Sequence, residues 1–219
     1  MTEIARTAGI IGDVHGEDAA LEAALSFLLS EGPFDAILCT GDLPAKRGIG
    51  DADRSCALLR EANVLTIRGN HDRWHVENEE VRRLFGDAQK QMSPESQLFL
   101  RSRPPLRELE TTLGTLLLCH GIAQDDMSGI YPGGPDEDVS RALESYGLPG
   151  KFSFMVNGHT HRRMVRPLSG LTILNAGSLC WNEHPGFLIA DFTSATVHFF
   201  DLTPFTYQIT AAGSMALPA

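Results

Sequence analysis

Gly158-His159-Thr160-His161 sets two imidazoles one residue apart, directly after the apolar run Phe152–Val156. A buried strand ending at Asn157 would put both rings on a turn, where they can aim into one space. Imidazole is the commonest protein ligand for borderline transition metals. Four more polar sites follow the same plan, each behind a short apolar run: Asp13 with His15, Asp42, Asn70 with His71, and His120. Most of the eight histidines of the chain fall in these motifs, which scattered core histidines would not do. Carboxylates, imidazoles and one amide oxygen form a mixed N/O set that suits manganese, iron or zinc better than calcium. A carboxylate such as Asp42 can bridge two ions about 3.5–4 Å apart. Two divalent ions (about +4), two carboxylates (about −2) and a bridging hydroxide (about −1) leave the site near +1, which attracts phosphate. Coordination lowers the pKa of water from about 15.7 toward 7, so the pattern predicts a hydrolase that attacks phosphorus in line.

The elements that must position these residues are legible in the apolar spacing. Ala8–Ile11, Ala36–Cys39 and Val64–Ile67 read as strands that end at Asp13, at Asp42 and at Asn70-His71. Helical spacing follows over Asp18–Leu29 and about Asp51–Ala62, and a short helix is expected over Glu77–Gly86. Alternating strands and helices argue for parallel βα units with polar residues gathered at the strands' C-terminal edge. Ser93-Pro94-Glu95 opens another helix, with Pro at its first position. Leu106–Glu110 and Thr115–Cys119 form a hairpin that delivers His120. Gly121–Asp136 is long enough for a binding loop, Glu137–Tyr146 is helical, and Leu171–Leu174, Phe187–Asp191 and Thr196–Asp201 are strands. The small residues Ala211–Ala219 are expected to fray.

Composition narrows the class. At 219 residues and 42% hydrophobic, the chain is expected to be one domain, 1–219, with a full core. A formal charge of −10 speaks against an extended nucleic-acid surface. No basic segment with an apolar run opens the chain and no stretch reaches membrane-span length, so a cytoplasmic protein without a membrane partner is expected. The four cysteines include no CxxC pair and read as buried thiols.

Taken in order, Asp13-x-His15, Gly41-Asp42, Gly69-Asn70-His71-Asp72, His120-Gly121, Gly158-His159-Thr160-His161 and Asn175-Ala176-Gly177-Ser178 resemble the motif set of the calcineurin-like metallophosphoesterases. The resemblance implies an α/β (α+β) fold, a four-layer αββα sandwich of two mixed β-sheets flanked by helices. It also implies two divalent transition-metal ions, with manganese favoured. Asp13, His15 and His161 would hold one ion, Asn70, His120 and His159 the other, and Asp42 would bridge them. A metal-bridging hydroxide would attack a phosphodiester or phosphomonoester, and His71 would assist the leaving group. Arg68 resembles the phosphate-facing arginine of several branches, and Arg47 with Lys46 is a second candidate for substrate contact. Trp74 and Tyr131 could stack on a base; Asp125 and Asp126 read as solvated loop charges. The substrate would be a phosphorylated small molecule. Ala45 stands where the protein Ser/Thr phosphatases carry the Asp that orients the catalytic histidine, which weakens that subfamily. Gly41–Gly48 is closer to the symmetrical diadenosine tetraphosphate hydrolases, but the surroundings of His159 and His161 are closer to small phosphodiesterases. A non-catalytic module, as in the retromer subunit of this fold, is the remaining alternative.

Overall fold

A computed structural model describes residues 4–45, 50–77, 92–168 and 170–218. Strands β1 (Thr7–Ile11), β2 (Ala36–Cys39) and β3 (Leu65–Thr66) run parallel, as their spacing predicts. Beyond β1 the sheet continues antiparallel through β9 (Gly186–Asp191), β10 (Thr196–Leu202) and β11 (Ile209–Ala216). The second sheet takes β4 (Leu106–Thr111), β5 (Gly114–Cys119), β6 (Phe154–Asn157), β7 (Met164–Leu168) and β8 (Leu171–Asn175) in the order β4-β5-β6-β8-β7. Both sheets are mixed: β5, β6 and β8 are parallel, and the flanking strands antiparallel.

The described helices are α1 (Asp18–Glu31), α2 (Ala52–Glu61), α3 (Asn70–Glu77), α4 (Pro94–Ser102) and α5 (Asp136–Ser145). Three apolar clusters fill the three spaces between four layers. Leu21, Leu25 and Leu28 of α1, Leu59 of α2 and Leu100 of α4 pack on Ile11 and Cys39 of the first sheet. Ala8, Ile10 and Leu38, from the other face of that sheet, meet Leu116, Leu118, Phe154 and Val156 of the second. Met155 and Ile173 turn outward onto Val139 and Leu143 of α5. The period-two alternation of side chains makes this division possible, since neighbouring residues such as Ile10 and Ile11 serve opposite faces. The expected αββα sandwich is the observed fold.

Three elements differ from expectation. The tail does not fray: Ile209–Ala216 pairs along β10, with a register shift at Phe199/Phe200. Its small residues carry no β-branched alternation, so backbone pairing rather than side-chain pattern holds it. Met164–Leu168 is an edge strand that the Arg166-Pro167 step conceals, an edge being where Pro is tolerated. Asn70–Glu77 is helical, so Asn70 and His71 sit in a helix's first turn rather than on a bare strand end. The helix expected over 77–86 falls almost entirely outside the described residues.

Near the C-terminal end of β1 the two sheets touch through backbone. Asp13 N–H donates to the Gly177 carbonyl at 3.4 Å, and Leu179 N–H to the Asp13 carbonyl at 2.9 Å. A Cβ on Gly12 would lie 1.9 Å from the Gly177 carbonyl oxygen, so no larger residue fits without moving one sheet. Gly12→Ala is expected to cost about 3 kcal/mol and to lower Tm by about 6–12 °C in a chain of this size. Calorimetry of the variant checks this; an unchanged Tm would show that the sheets can part at no cost.

Candidate metal centre

Every polar motif arrives at the same edge of the sandwich. Asp13 and His15 follow β1, Asp42 follows β2, Asn70 and His71 open α3 after β3, His120 follows β5, and His159 and His161 follow β6. Asp13, His15, Asp42, Asn70, His71, His120 and His161 are buried, and His159 is half-buried. His15, Asp42, His159 and His161 have φ of 48°, 55°, 64° and 56°. Left-handed backbone at non-glycine residues costs about 1–2 kcal/mol each and is characteristic of functional sites.

The donor atoms converge in two groups that share one carboxylate. His161 Nε2 lies 3.1 Å from Asp13 Oδ2 and 3.0 Å from His15 Nε2. Asn70 Oδ1 lies 2.9 Å from His120 Nε2 and 3.0 Å from His159 Nδ1. Asp42 Oδ2 stands between the groups, 3.6 Å from His15 Nε2 and 3.3 Å from His120 Nε2. Two imidazole nitrogens at 3.0 Å cannot both carry protons, so a cation facing their lone pairs suits them better than mutual hydrogen bonding. The donor set therefore fits a pair of borderline divalent ions. His71 reaches the same space: its ring nitrogen, one of His15 and an Asp42 oxygen lie within 4.8 Å of one another.

The surrounding residues fix this arrangement. Asp72 turns away from the cluster, and its carboxylate accepts the backbone N–H groups of Asp42, Leu43 and Gly69 at 2.8, 2.9 and 2.8 Å. Asp42 Oδ1 accepts the His71 N–H at 2.9 Å. His120 Nδ1 faces the Thr40 carbonyl at 2.7 Å, while the Thr40 hydroxyl donates to Asp13 Oδ1 at 3.0 Å. Asn175 donates through Nδ2 to the Gly158 carbonyl at 2.9 Å and accepts the Gly177 N–H at 2.8 Å, pinning the turn that carries His159 and His161. A Cβ on Gly158 or Gly69 would stand 2.2 Å from Asp13 Oδ1 or Asp42 Oδ1, so both backbones must be bare to pass the carboxylates.

Electrostatically the centre calls for positive charge. Burial alone would raise the Asp42 carboxyl, but His120, His71 and His15 reverse this and hold it well below the usual carboxylate range. Burial opposes ionisation of Asp13 too, and His120 and His161 bring it below its ordinary value. Burial would lower the His120 imidazole, yet Asp42 and Asp13 push it up to about 10. Protonated His120 thus does for the buried carboxylates what a metal cation would do. Asp72, desolvated and near Asp42, is raised to about 7.

Other candidates are placed less centrally. The Arg68 guanidinium is paired with Glu77 Oε1 at 2.9 Å, and Lys46 and Arg47 lie outside the described residues. Trp74 is buried with its ring centroid 4.9 Å from that of His71, so it backs that ring rather than facing a base. Asp125 and Asp126 are not merely solvated. Asp126 makes a two-pronged pair with Arg73 of α3, both contacts at 2.7 Å, and Asp125 accepts from the Ser128 and Tyr146 hydroxyls at 2.7 and 3.0 Å. These contacts fix the long loop after His120, which brings Tyr131 to the rim of a cleft lined by His159 and His161.

Glu183 and Arg162 went unread in the sequence, and Cys180 was read only as a buried thiol. Glu183 hydrogen-bonds His161 Nδ1, leaving Nε2 to face Asp13. A Cys180 sulfur lies within 4.8 Å of ligand nitrogens of His15 and His161. Arg162 is exposed in the cleft beside His161. Only position relative to Asn175-Ala176-Gly177-Ser178 and to His161 could have flagged them, because none belongs to a motif of its own.

The profile of the calcineurin-like phosphoesterase superfamily domain matches residues 7–195. No curated protein matches the chain by sequence. Among solved structures, the phosphoesterase Yfce of E. coli is similar at TM-score 0.58 and 16% identity, covering 97% of this chain and all of its own. Vps29 of Entamoeba histolytica, in complex with zinc, is similar at TM-score 0.56 and 17% identity over 96% of this chain and 99% of its own. An archaeal phosphodiesterase follows at TM-score 0.50 and 15% identity, over 96% and 99%.

Carboxylates that orient metal-binding imidazoles typically change metal affinity about 10–100-fold. Glu183→Gln is therefore expected to weaken manganese binding to metal-stripped protein by about that factor. Isothermal titration checks this, and equal affinities would show that Glu183 does not orient His161.

Proposed function

The chain belongs to the calcineurin-like phosphoesterase superfamily, and we propose that it is a dinuclear, metal-dependent phosphoric ester hydrolase acting on a small phosphorylated molecule. The observation that carries this reading is Asp42 Oδ2, within 3.6 Å of His15 Nε2 and 3.3 Å of His120 Nε2, between two groups of donors. In this reading Asp13, His15 and His161 hold one ion, Asn70, His120 and His159 the other, and Asp42 both. Bound there, two divalent ions supply neutralisation of the phosphate charge and make water acidic enough to ionise near neutral pH. Manganese is favoured, while iron and zinc accept the same ligands.

The remaining work falls to the chain itself. His71, backed by Trp74 and fixed through its N–H on Asp42, delivers a proton to the leaving alcohol oxygen. Arg68 can meet the substrate phosphate if it leaves Glu77, and Arg47 is the candidate on the other loop. Every ligand position holds a competent residue, which favours an enzyme over a scaffold. Burial of all four thiols without a disulfide supports a cytoplasmic setting, and we assign the activity to one domain spanning 1–219. Among the described residues no helix is long and apolar enough to cross a membrane.

The test is hydrolysis of bis(p-nitrophenyl) phosphate beside p-nitrophenyl phosphate, in metal-stripped protein with manganese restored. Diester turnover is expected to return with manganese, to disappear in Asp42→Asn, and to fall about 10²–10⁴-fold in His71→Ala. Turnover of the monoester alone would move the substrate to phosphomonoesters, including phosphoproteins. Undiminished activity in Asp42→Asn would overturn the mechanism.

A further inference from the structure

Two clefts of about 410 and 250 Å³ open beside the candidate metal residues, and a third of about 500 Å³ adjoins them. His184 lines all three, Asn182 lines the first and last, and Asp201 the last two, so they form one groove. One end is walled by His159 and His161; the other runs past Trp181 and Pro204.

Two features of the groove are unexplained by packing. At the near end Arg162 is exposed and pairs with no described carboxylate. Its neighbours differ: Arg163 sits on Asp201 at 2.6 Å, and Arg166 donates to the Tyr131 carbonyl at 2.9 Å. At the far end the wall residue Trp181 is 42% exposed. Phe205, 72% exposed and not itself part of the wall, meets the Trp181 ring at a centroid distance of 5.6 Å with planes inclined by 37°. Both rings stand on fixed backbone. Trp181 lies in a turn closed by the Glu183 N–H on the Cys180 carbonyl at 2.9 Å. Phe205, at φ 66°, lies in a turn closed by the Thr203 N–H on the Gln208 carbonyl at 2.9 Å and the Tyr207 N–H on the Thr203 carbonyl at 2.8 Å. A bulky side chain in left-handed backbone, presented to solvent beside a second aromatic, is an outlier of the kind that collects at binding sites.

We propose that this groove binds the organic part of the substrate and that this part is a nucleoside, its phosphate near Arg162 and its base against Trp181 and Phe205. The proposal deepens the phosphoesterase reading and rests on it. A free guanidinium beside the candidate metals suits a phosphate oxygen. Exposed aromatic faces suit a base of any sequence, because every base offers a π-face. Between them Asn182, His184 and Asp201 line the groove, polar side chains that the hydroxyls of a sugar can meet. Trp181, not the buried Trp74, is thus the tryptophan available for stacking.

The experiment has a binding arm and a kinetic arm. In manganese-loaded protein, AMP is expected to quench tryptophan emission and to bind about tenfold tighter than ribose 5-phosphate, which lacks the base. Trp181→Phe should remove the quenching, and Phe205→Ala, at an exposed turn, should remove the tenfold preference. In turnover, thymidine 5′-(p-nitrophenyl phosphate) is compared with methyl p-nitrophenyl phosphate, which has the same leaving group. Phe205→Ala should raise KM about tenfold for the first and leave the second and both kcat values unchanged. Equal affinity for AMP and ribose 5-phosphate overturns the proposal, as does a KM change common to both esters. If neither ester is hydrolysed the hydrolase reading falls, while the AMP preference still decides the subsite.

Discussion

The structure depends on one carboxylate whose two oxygens do different work. Asp42 Oδ1 is spent on the His71 N–H and so anchors the first turn of α3, while Oδ2 is left between the imidazoles of His15 and His120. For this to happen the Asp42 backbone must adopt left-handed geometry, and Asp72 must pin it from below through two adjacent N–H groups. The glycines at 69 and 158 are bare because these carboxylates pass so close. Core, turn and site are therefore parts of one constraint: a fully desolvated acid needs cationic or hydrogen-bonding neighbours on every side.

An acidic chain and the anionic substrate class proposed for it are reconciled by locality. The formal charge of −10 is a sum over the whole chain, and exposed charges are screened within about 8–10 Å at physiological salt. The centre is shielded from solvent, so its own charges dominate what a phosphate meets there. His120 raised to about 10 shows the sign of that local demand.

Much of this was legible in the sequence. The strand ends at Asp13, Asp42, His120 and His159 could be located because apolar runs stop abruptly there, and the αββα layering follows from runs whose alternate residues serve two cores. What escaped has physical reasons. Ile209–Ala216 is held by a backbone ladder that small residues do not advertise, and Asn70 begins a helix whose capping comes from a distant part of the chain. Glu183 and Cys180 matter only because Asn175 ties the turn that carries His159 and His161 to the Gly177 backbone just before their loop, a juxtaposition that spacing along the chain does not encode. Arg162 matters only because the turn after His161 leaves it in a cleft. Asp126 looked solvated because its partner Arg73 lies 53 residues away in sequence.

The place of β1 within its sheet bears on how the protein is made. β1 pairs on one side with β2, a few dozen residues later, but on the other only with Gly186–Asp191. During synthesis at about 5–20 residues per second, that second edge stays unpaired for about 10–35 s. The last candidate ligand, His161, also emerges late. A nascent chain thus offers an open strand edge and an incomplete set of candidate ligands before it can close either, so sheet completion and assembly of the candidate centre both wait for residues 159–191. Such long-range closure slows folding and exposes the chain to edge-to-edge association, the interval in which a chaperone has most to shield.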